Sequence, residues 1–159
     1  MYCYTLWYNK SSSMYWIVKR KRKRASSVTK HYVMHKETAR AVIQAKLLYW
    51  NQFYNLQYNR VSIRNQRRCW GSCTSLGNLN FSYKILFLPE HLQDYIIVHE
   101  LCHLAELNHG QQFWNLVAQQ IPDYQTHIRE LRAIELGGMS YVRLEKLKDV
   151  QKQSVVEGI

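Results

Sequence analysis

The sequence has 159 residues and a mass of 19.1 kDa, which is the size of one compact domain and excludes most two-domain enzymes. Hydrophobic residues make up 47% and charged residues 21% of the chain, a balance that excludes a disordered or collagen-like protein. The formal charge of +11 favours anionic partners such as nucleic acid or nucleotides. Six of the basic residues form one run, Lys19 to Arg24, so the rest of the chain is only mildly basic.

The cysteines and the apolar segments indicate the compartment. Four cysteines, at positions 3, 69, 73 and 102, follow no signal peptide and do not form the pattern of a secreted disulfide framework. No stretch approaches the ~20 apolar residues that a membrane helix needs. We therefore expect a cytoplasmic protein that does not enter a membrane.

The chain divides into three parts. Residues 1–30 are predicted to be a basic N-terminal arm or peripheral strand, residues 31–136 a folded domain, and residues 137–159 a C-terminal tail. Good helix formers predict a first helix near residues 36–53. Apolar and polar residues then alternate at 61–64 and 79–83, with Gly71, Gly77 and Asn78 between them, which predicts a small, mainly antiparallel sheet.

Three more helices follow the sheet. Pro89 and Glu90 suit the first turn of a second helix. The apolar side of this helix continues to about Leu107. Core spacing predicts a third helix over 111–120, before Pro122, and a fourth from Thr126 to a break at residues 137–138. The expected class is therefore α+β, with a small sheet packed against the second helix and flanking helices.

The second predicted helix contains an H-E-x-x-H segment, residues 99–103. Residues four apart share a helix face and lie about 6 Å apart along the axis, so His99 and His103 can reach one metal ion. Glu100 lies beside that face, where a carboxylate can deprotonate a metal-bound water.

His109 is the candidate third ligand. On a continuous helix it would lie ~9 Å beyond His103, too far to share a metal whose bonds to nitrogen are about 2.0–2.1 Å. The helix must therefore end first, and Asn108 and Gly110 favour that break. Glu106 has three interpretations: a partner of a ligand, a substitute ligand, or a solvated surface charge.

Three motifs in order carry a resemblance to a known family. W-G-S-C stands at residues 70–73, H-E-L-x-H at 99–103 and N-H-x-x-x-F-W at 108–114. Over about residues 36–124 the chain resembles the bacterial YgjP-like metallopeptidase domain, and it is more distantly similar to SprT-like proteases. Metzincins share the ligand spacing, but they have Gly where this chain has Glu106.

The resemblance implies a zincin-like fold that hydrolyses peptide bonds in a polypeptide substrate. It implies Zn²⁺ held by His99, His103 and His109, with Glu100 as general base. Three protein ligands would leave the fourth tetrahedral position to a water molecule, whose pKa zinc lowers toward ~7. By analogy with zincins, the strand at 79–83 would be the sheet edge along which an extended peptide pairs.

Other residues are candidates for binding the substrate. Arg67, Arg68, Asn80 and Tyr124 are predicted to contact it, and Tyr124 or Arg129 is the candidate for stabilising the transition-state oxyanion. A second metal site at residues 69 and 73 is disfavoured, because C-x-x-x-C lacks the usual ligand spacing and has no partner pair.

Two further functions stay open at this point. In the first, the same metal site hydrolyses nucleotides, as a phosphohydrolase or pyrophosphatase, with nearby arginines holding phosphate. In the second, the chain is a nucleic-acid-associated protein with a zinc site, as the basic run suggests. Glu100 and the open fourth position argue against a purely structural metal.

Overall fold

The computed structural model describes residues 30–136. The predicted arm with its basic run, the break at residues 137–138 and the C-terminal tail lie outside the described residues. The described part confirms the α+β class. In chain order its elements are α1 (Lys30–Tyr54), β1 (Arg60–Arg64), β2 (Gly71–Cys73), β3 (Asn78–Ser82), a 3₁₀ helix (Tyr83–Phe87), α2 (Glu90–Cys102), α3 (Gln111–Gln120) and α4 (Tyr124–Leu136).

The sheet has the strand order β1-β3-β2. β2 and β3 form an antiparallel hairpin in which Gly71 lies opposite Phe81, whereas β1 runs parallel to β3 with Ile63 opposite Phe81. The prediction of antiparallel pairing is therefore confirmed for the hairpin. The two strands that were predicted from alternation, β1 and β3, instead pair in parallel. Because β3 is paired on both sides, it is not the sheet edge, and that expectation was wrong. The edge strand beside α2 is β2.

α2 is the central element of the fold. Every residue from Tyr95 to Cys102 is buried, so this helix is covered on all sides rather than along one stripe. α1 packs on it through Ala39, Ile43 and Leu47, whose spacing of four places them on one face.

Polar contacts fix the first turns of α2 against α1. Lys46 Nζ lies 3.0 Å from Glu90 Oε1 and 2.7 Å from Asp94 Oδ1, and the indole Nε1 of Trp50 donates to the same Asp94 oxygen at 2.9 Å. The Lys46–Asp94 pair is partly shielded from water, which strengthens it relative to an exposed ion pair. These contacts anchor the end of α2 that precedes the H-E-x-x-H segment.

α2 ends at Cys102, five residues before the predicted end. The amides of Leu104 and Ala105 bond to the carbonyls three residues earlier, at 2.9 and 3.1 Å, and these tighter turns stop the α-helix. The chain can then reverse and bring His109 back to the helix. Within residues 30–136, no helix has the length and apolar character to span a bilayer.

Candidate metal centre and active site

Three imidazoles converge at the C-terminal end of α2. The Nε2 atoms of His99 and His103 lie 3.2 Å apart on successive turns, and Nε2 of His109 lies 3.1 Å from the first and 3.2 Å from the second. Nitrogen ligands bound at about 2.0–2.1 Å with tetrahedral angles would be separated by roughly 3.3–3.4 Å. The nitrogen triangle therefore has the size that a tetrahedral metal ion requires, and the donor set fits such an ion.

Glu106 supports the cluster through its main chain. Nδ1 of His103 lies 2.9 Å from the carbonyl oxygen of Glu106, and a carbonyl only accepts, so Nδ1 donates the hydrogen. The neutral ring then presents a lone pair at Nε2 to the other histidines. Of the three interpretations of Glu106, a partner of a ligand is the one that this contact favours, although the backbone rather than the carboxylate provides it.

Phe113 of α3 fixes the ring positions. It is fully buried, and its ring centroid lies 4.9 Å from that of His99, 4.4 Å from that of His103 and 4.7 Å from that of His109. One aromatic ring thus packs against all three imidazoles. Contacts of this kind restrict the rings without competing for their nitrogens.

Burial keeps the three imidazoles neutral. Desolvation lowers the pKa of His99 well below 6.5, with further lowering from its two neighbours. Burial also lowers the pKa of His103 and lowers that of His109 to about 4. Neutral imidazole is the form that binds a metal ion, so the site is ready for one at pH 7.

Glu100 is a buried carboxyl group beside this cluster. It is 6% exposed, and burial raises its pKa to about 8. Its Oε2 atom is buried and has no hydrogen-bond partner among the described residues. Leaving such an oxygen unsatisfied is costly, so its presence indicates a place for a further polar group, such as a water molecule.

The position of Gly71 in β2 explains why the W-G-S-C motif has a glycine there. A Cβ atom at this position would lie 2.5 Å from Oε1 and 2.7 Å from Cδ of Glu100. Only glycine therefore lets the edge strand pass directly over the carboxylate. Residue spacing gave no indication of this contact; from the sequence, Gly71 was placed only between the two predicted strands.

The two candidates for stabilising the oxyanion, Tyr124 and Arg129, differ in whether their contacts lead to the histidine cluster. Tyr124 is half-buried and stacks on Trp114, which stacks in turn on His109, with ring centroids 4.9 and 5.6 Å apart. Arg129 instead donates to Thr126 Oγ1 at 3.1 Å on the exposed side of α4. The structure thus connects Tyr124, and not Arg129, to the histidine cluster.

The other predicted contacts lie on or near the sheet. Asn80 is 2% exposed on the central strand, where it lies opposite Ser72, and its amide donates to Ser72 Oγ at 3.4 Å. Arg67 and Arg68 are exposed in the segment that leads to β2, and the charge of Arg67 adds to burial in lowering the pKa of Lys84. The described contacts do not bring these three side chains to the histidines.

Tyr95 is a neighbour of the cluster that was not among the predicted site residues. Its hydroxyl lies 3.4 Å from Nδ1 of His99, and it is 1% exposed. Its position four residues before His99 on α2 is the signal that could have identified it. Tyr95 and the Glu106 carbonyl thus contact the outward nitrogens of two of the three imidazoles.

Two solved structures resemble the fold. The metallopeptidase zymogen abylysin of Pyrococcus abyssi has 22% identity and a TM-score of 0.53, and the match covers 57% of this chain and 92% of that chain. The metallopeptidase zymogen jannalysin of Methanocaldococcus jannaschii has 24% identity and a TM-score of 0.44, covering 61% and 94%. The first likeness supports the fold; the second is too distant to carry an argument.

A family match extends the resemblance that the three motifs indicated. No curated protein matches the sequence. The YgjP-like metallopeptidase domain matches residues 7–134, which is most of the chain and reaches beyond the motif region of 36–124 at both ends. The chain therefore belongs to the YgjP-like metallopeptidase domain family.

Proposed function

We propose that this protein is a zinc-dependent peptidase whose metal is held by Nε2 of His99, His103 and His109. The observation that carries the proposal is the convergence of three neutral imidazoles beside one buried carboxylate with an unpartnered oxygen. Three neutral nitrogen ligands with room for a fourth group are typical of catalytic zinc. When bound, zinc supplies a Lewis acid and lowers the pKa of a water molecule toward ~7.

Glu100 is the general base in this proposal. The buried carboxylate takes a proton from the attacking water at Oε2 and delivers it to the leaving amine. In the metal-free chain burial favours its protonated form, with a pKa of about 8. A nearby cation favours the ionised form, so the group gains its basic form when the site is filled.

The free edge of β2 is the proposed binding site for the peptide. Among the described strands, β2 pairs only with β3, so its other edge can pair with an extended backbone. Because Gly71 lies over Glu100, a peptide paired here passes next to the general base. Asn80 contributes indirectly, by holding Ser72 in the strand.

Tyr124 is the proposed donor to the transition-state oxyanion. Its stacking on Trp114 sets the position of the ring relative to His109. A phenol donates a hydrogen bond without carrying a charge, which suits an oxygen whose negative charge develops only during the reaction. Peptide hydrolysis is preferred over nucleotide hydrolysis because the family is one of metallopeptidases.

The test uses an unfolded protein and a mixture of nucleoside triphosphates as alternative substrates. We expect cleavage of the protein, its loss after chelation, and its recovery with zinc. Phosphate release from the nucleotides is expected to stay at background. Peptide cleavage that persists without metal, or phosphate release that depends on zinc, would contradict the proposal.

A further inference from the structure

A groove of about 570 Å³ opens beside the histidine cluster, and His103 forms part of its wall. We call it the leucine groove, after the apolar residues that line it together with His103: Tyr58, Leu76, Leu104 and Leu107. Polar residues also line the groove: Gln57, Asn59, Thr74 and Ser75. A concave site that combines apolar side chains with polar groups is the usual form of a binding pocket.

One wall of the groove is the turn between β2 and β3. The Gly77 amide donates to Thr74 O at 2.9 Å, the Thr74 amide donates to Asn78 O at 3.1 Å, and the Asn59 amide donates to Gly77 O at 2.8 Å. Gly77 has a φ of 69°, which glycine adopts without strain. These bonds join the turn to the segment before β1, so this wall is formed before any ligand binds.

The opposite wall follows the end of α2. The tight turns after Cys102 place Leu104 across the groove, where its Cδ2 atom lies 3.8 Å from the position of a Cβ on Gly77. Leu104 and Tyr58 are half-buried and pack against the core. The bottom of the leucine groove is therefore closed and continuous with the hydrophobic core.

Two leucines at the groove remain exposed to water. Leu76 is 75% exposed on its turn, and Leu107 is 45% exposed on the opposite wall. Two large apolar side chains that flank one cavity indicate a surface that gains by being covered. The turn that carries Leu76 is held by main-chain bonds that do not use its side chain, so a leucine at this position is not needed for the turn itself.

The groove also continues the proposed peptide site. β2 ends at Cys73, and the groove-lining turn begins at Thr74. A peptide that pairs with β2 and extends past its end reaches the leucine groove within about three residues, at ~3.3 Å per residue. The occupant that fits is thus the substrate peptide, through one of its apolar side chains.

We propose that the leucine groove is the specificity subsite of this peptidase and binds a leucine-sized or aromatic side chain within about three residues of the cleaved bond. The proposal rests on the proposed function and adds a substrate class to it: extended segments with an apolar residue at one fixed position.

Cleavage of a peptide library tests the preference. For the wild type we expect one position near the cleaved bond to be enriched about tenfold in Leu, Met and Phe over Ser and Asp, because such discrimination is typical of an apolar pocket. Leu76→Ser and Leu107→Ser should each reduce the enrichment severalfold. Leu48→Ser is the matched control, since Leu48 is 70% exposed on α1. No enriched position, or an enrichment that both groove variants retain, would overturn the proposal.

A binding measurement separates this proposal from the proposed function. The full-length Glu100→Gln chain is titrated by NMR with an extended hexapeptide that contains one leucine, and with its Leu→Ser counterpart. We expect the leucine peptide to shift the amide signals of Leu76, Gly77 and Ala105. The serine peptide should need an at least fivefold higher concentration to produce the same shifts. If the wild type does not hydrolyse peptides but these shifts appear in Glu100→Gln, only the peptidase proposal fails. Equal binding of both peptides overturns the leucine groove.

Discussion

The α3 side and the β2 side of the histidine cluster differ in how many of their groups have a contact partner among the described residues. On the α3 side, Phe113 is fully buried and packs against all three imidazoles, and Trp114 continues the stack to Tyr124. On the β2 side, Glu100 has a buried oxygen without a described partner, one edge of β2 is unpaired within residues 30–136, and Leu76 is exposed.

This difference separates two tasks. The α3 side holds the three nitrogens at a fixed spacing, which a metal ion needs in order to bind without rearranging the protein. The β2 side concentrates polar and apolar groups that lack partners among the described residues, and such groups are expected where reactants bind. Changes on the β2 side should therefore affect turnover, whereas changes at the nitrogens should affect metal binding.

The largest expected effect on the β2 side comes from Glu100→Gln. The amide keeps the shape of the side chain but cannot accept the proton, so we expect kcat to fall about 10²- to 10⁴-fold. The zinc content should stay at the wild-type value, because Glu100 is not one of the three converging histidines. Peptide cleavage at the wild-type rate would remove Glu100 from the mechanism.

Two glycines, one on each side, give a matched comparison. In Gly71→Ala the new Cβ would lie 2.5 Å from Glu100 Oε1, so the carboxylate must move. We expect activity to fall about 10- to 100-fold, with a stability loss of roughly 1–3 kcal/mol from overpacking. Gly110→Ala, before α3, meets nothing within 4 Å and should cost below about 1 kcal/mol. Similar activities of both variants would contradict the close approach of β2 to Glu100.

Tyr124→Phe tests whether the α3 side also contributes to turnover. The ring and its stacking on Trp114 are retained, and only the hydroxyl is lost. We expect kcat to fall about tenfold or more with little change in KM, because an oxyanion donor acts mainly in the transition state. A change in KM alone would assign Tyr124 to ground-state binding of the substrate.

The smallest effect concerns the stability of the metal-free chain. Burial raises the pKa of Glu100 from 4.5 to about 8, so between these values the folded state binds more protons than the unfolded state and loses stability as pH rises. The lowered pKa values of the histidines act in the opposite direction, but below pH 6.5.

Among these four groups, only Glu100 therefore lowers the free energy of unfolding between pH 6.5 and 8, by up to about 1.4 kcal/mol per pH unit. Chemical denaturation of the metal-free wild type should show this decrease, and Glu100→Gln should not. A decrease of equal slope in both proteins would show that another group causes it.

The local patterns predicted the helices and the convergence of the three histidines. A spacing of four places His99 and His103 on one helix face, and the need for a helix end before His109 was also predicted correctly. Asn108 and Gly110 do not provide that end: α2 already stops at Cys102, Gly110 has a φ of −77°, and Asn55 is the only described non-glycine residue with a positive φ. The α3 boundaries agree with the prediction because Pro122 and the apolar spacing both act locally. The ring contacts of Phe113 depend on tertiary packing, which spacing alone does not determine.

The sheet was harder to predict. β2 has three residues, Gly, Ser and Cys, with little intrinsic strand preference, and it exists because it pairs with β3. Without β2, the alternation in β1 and β3 gave no information on their relative direction. The edge was therefore assigned to β3 instead of β2, and the contact between Gly71 and Glu100 could not be foreseen.

Zinc titration of the metal-free full-length chain at pH 7 tests the central claim most directly. We predict one site per chain in the wild type and an affinity reduced more than about 100-fold in His109→Ala, because one of three ligands is lost. His91→Ala, a control on the exposed start of α2, should bind as the wild type does. Wild-type affinity in His109→Ala would contradict the three-histidine metal site.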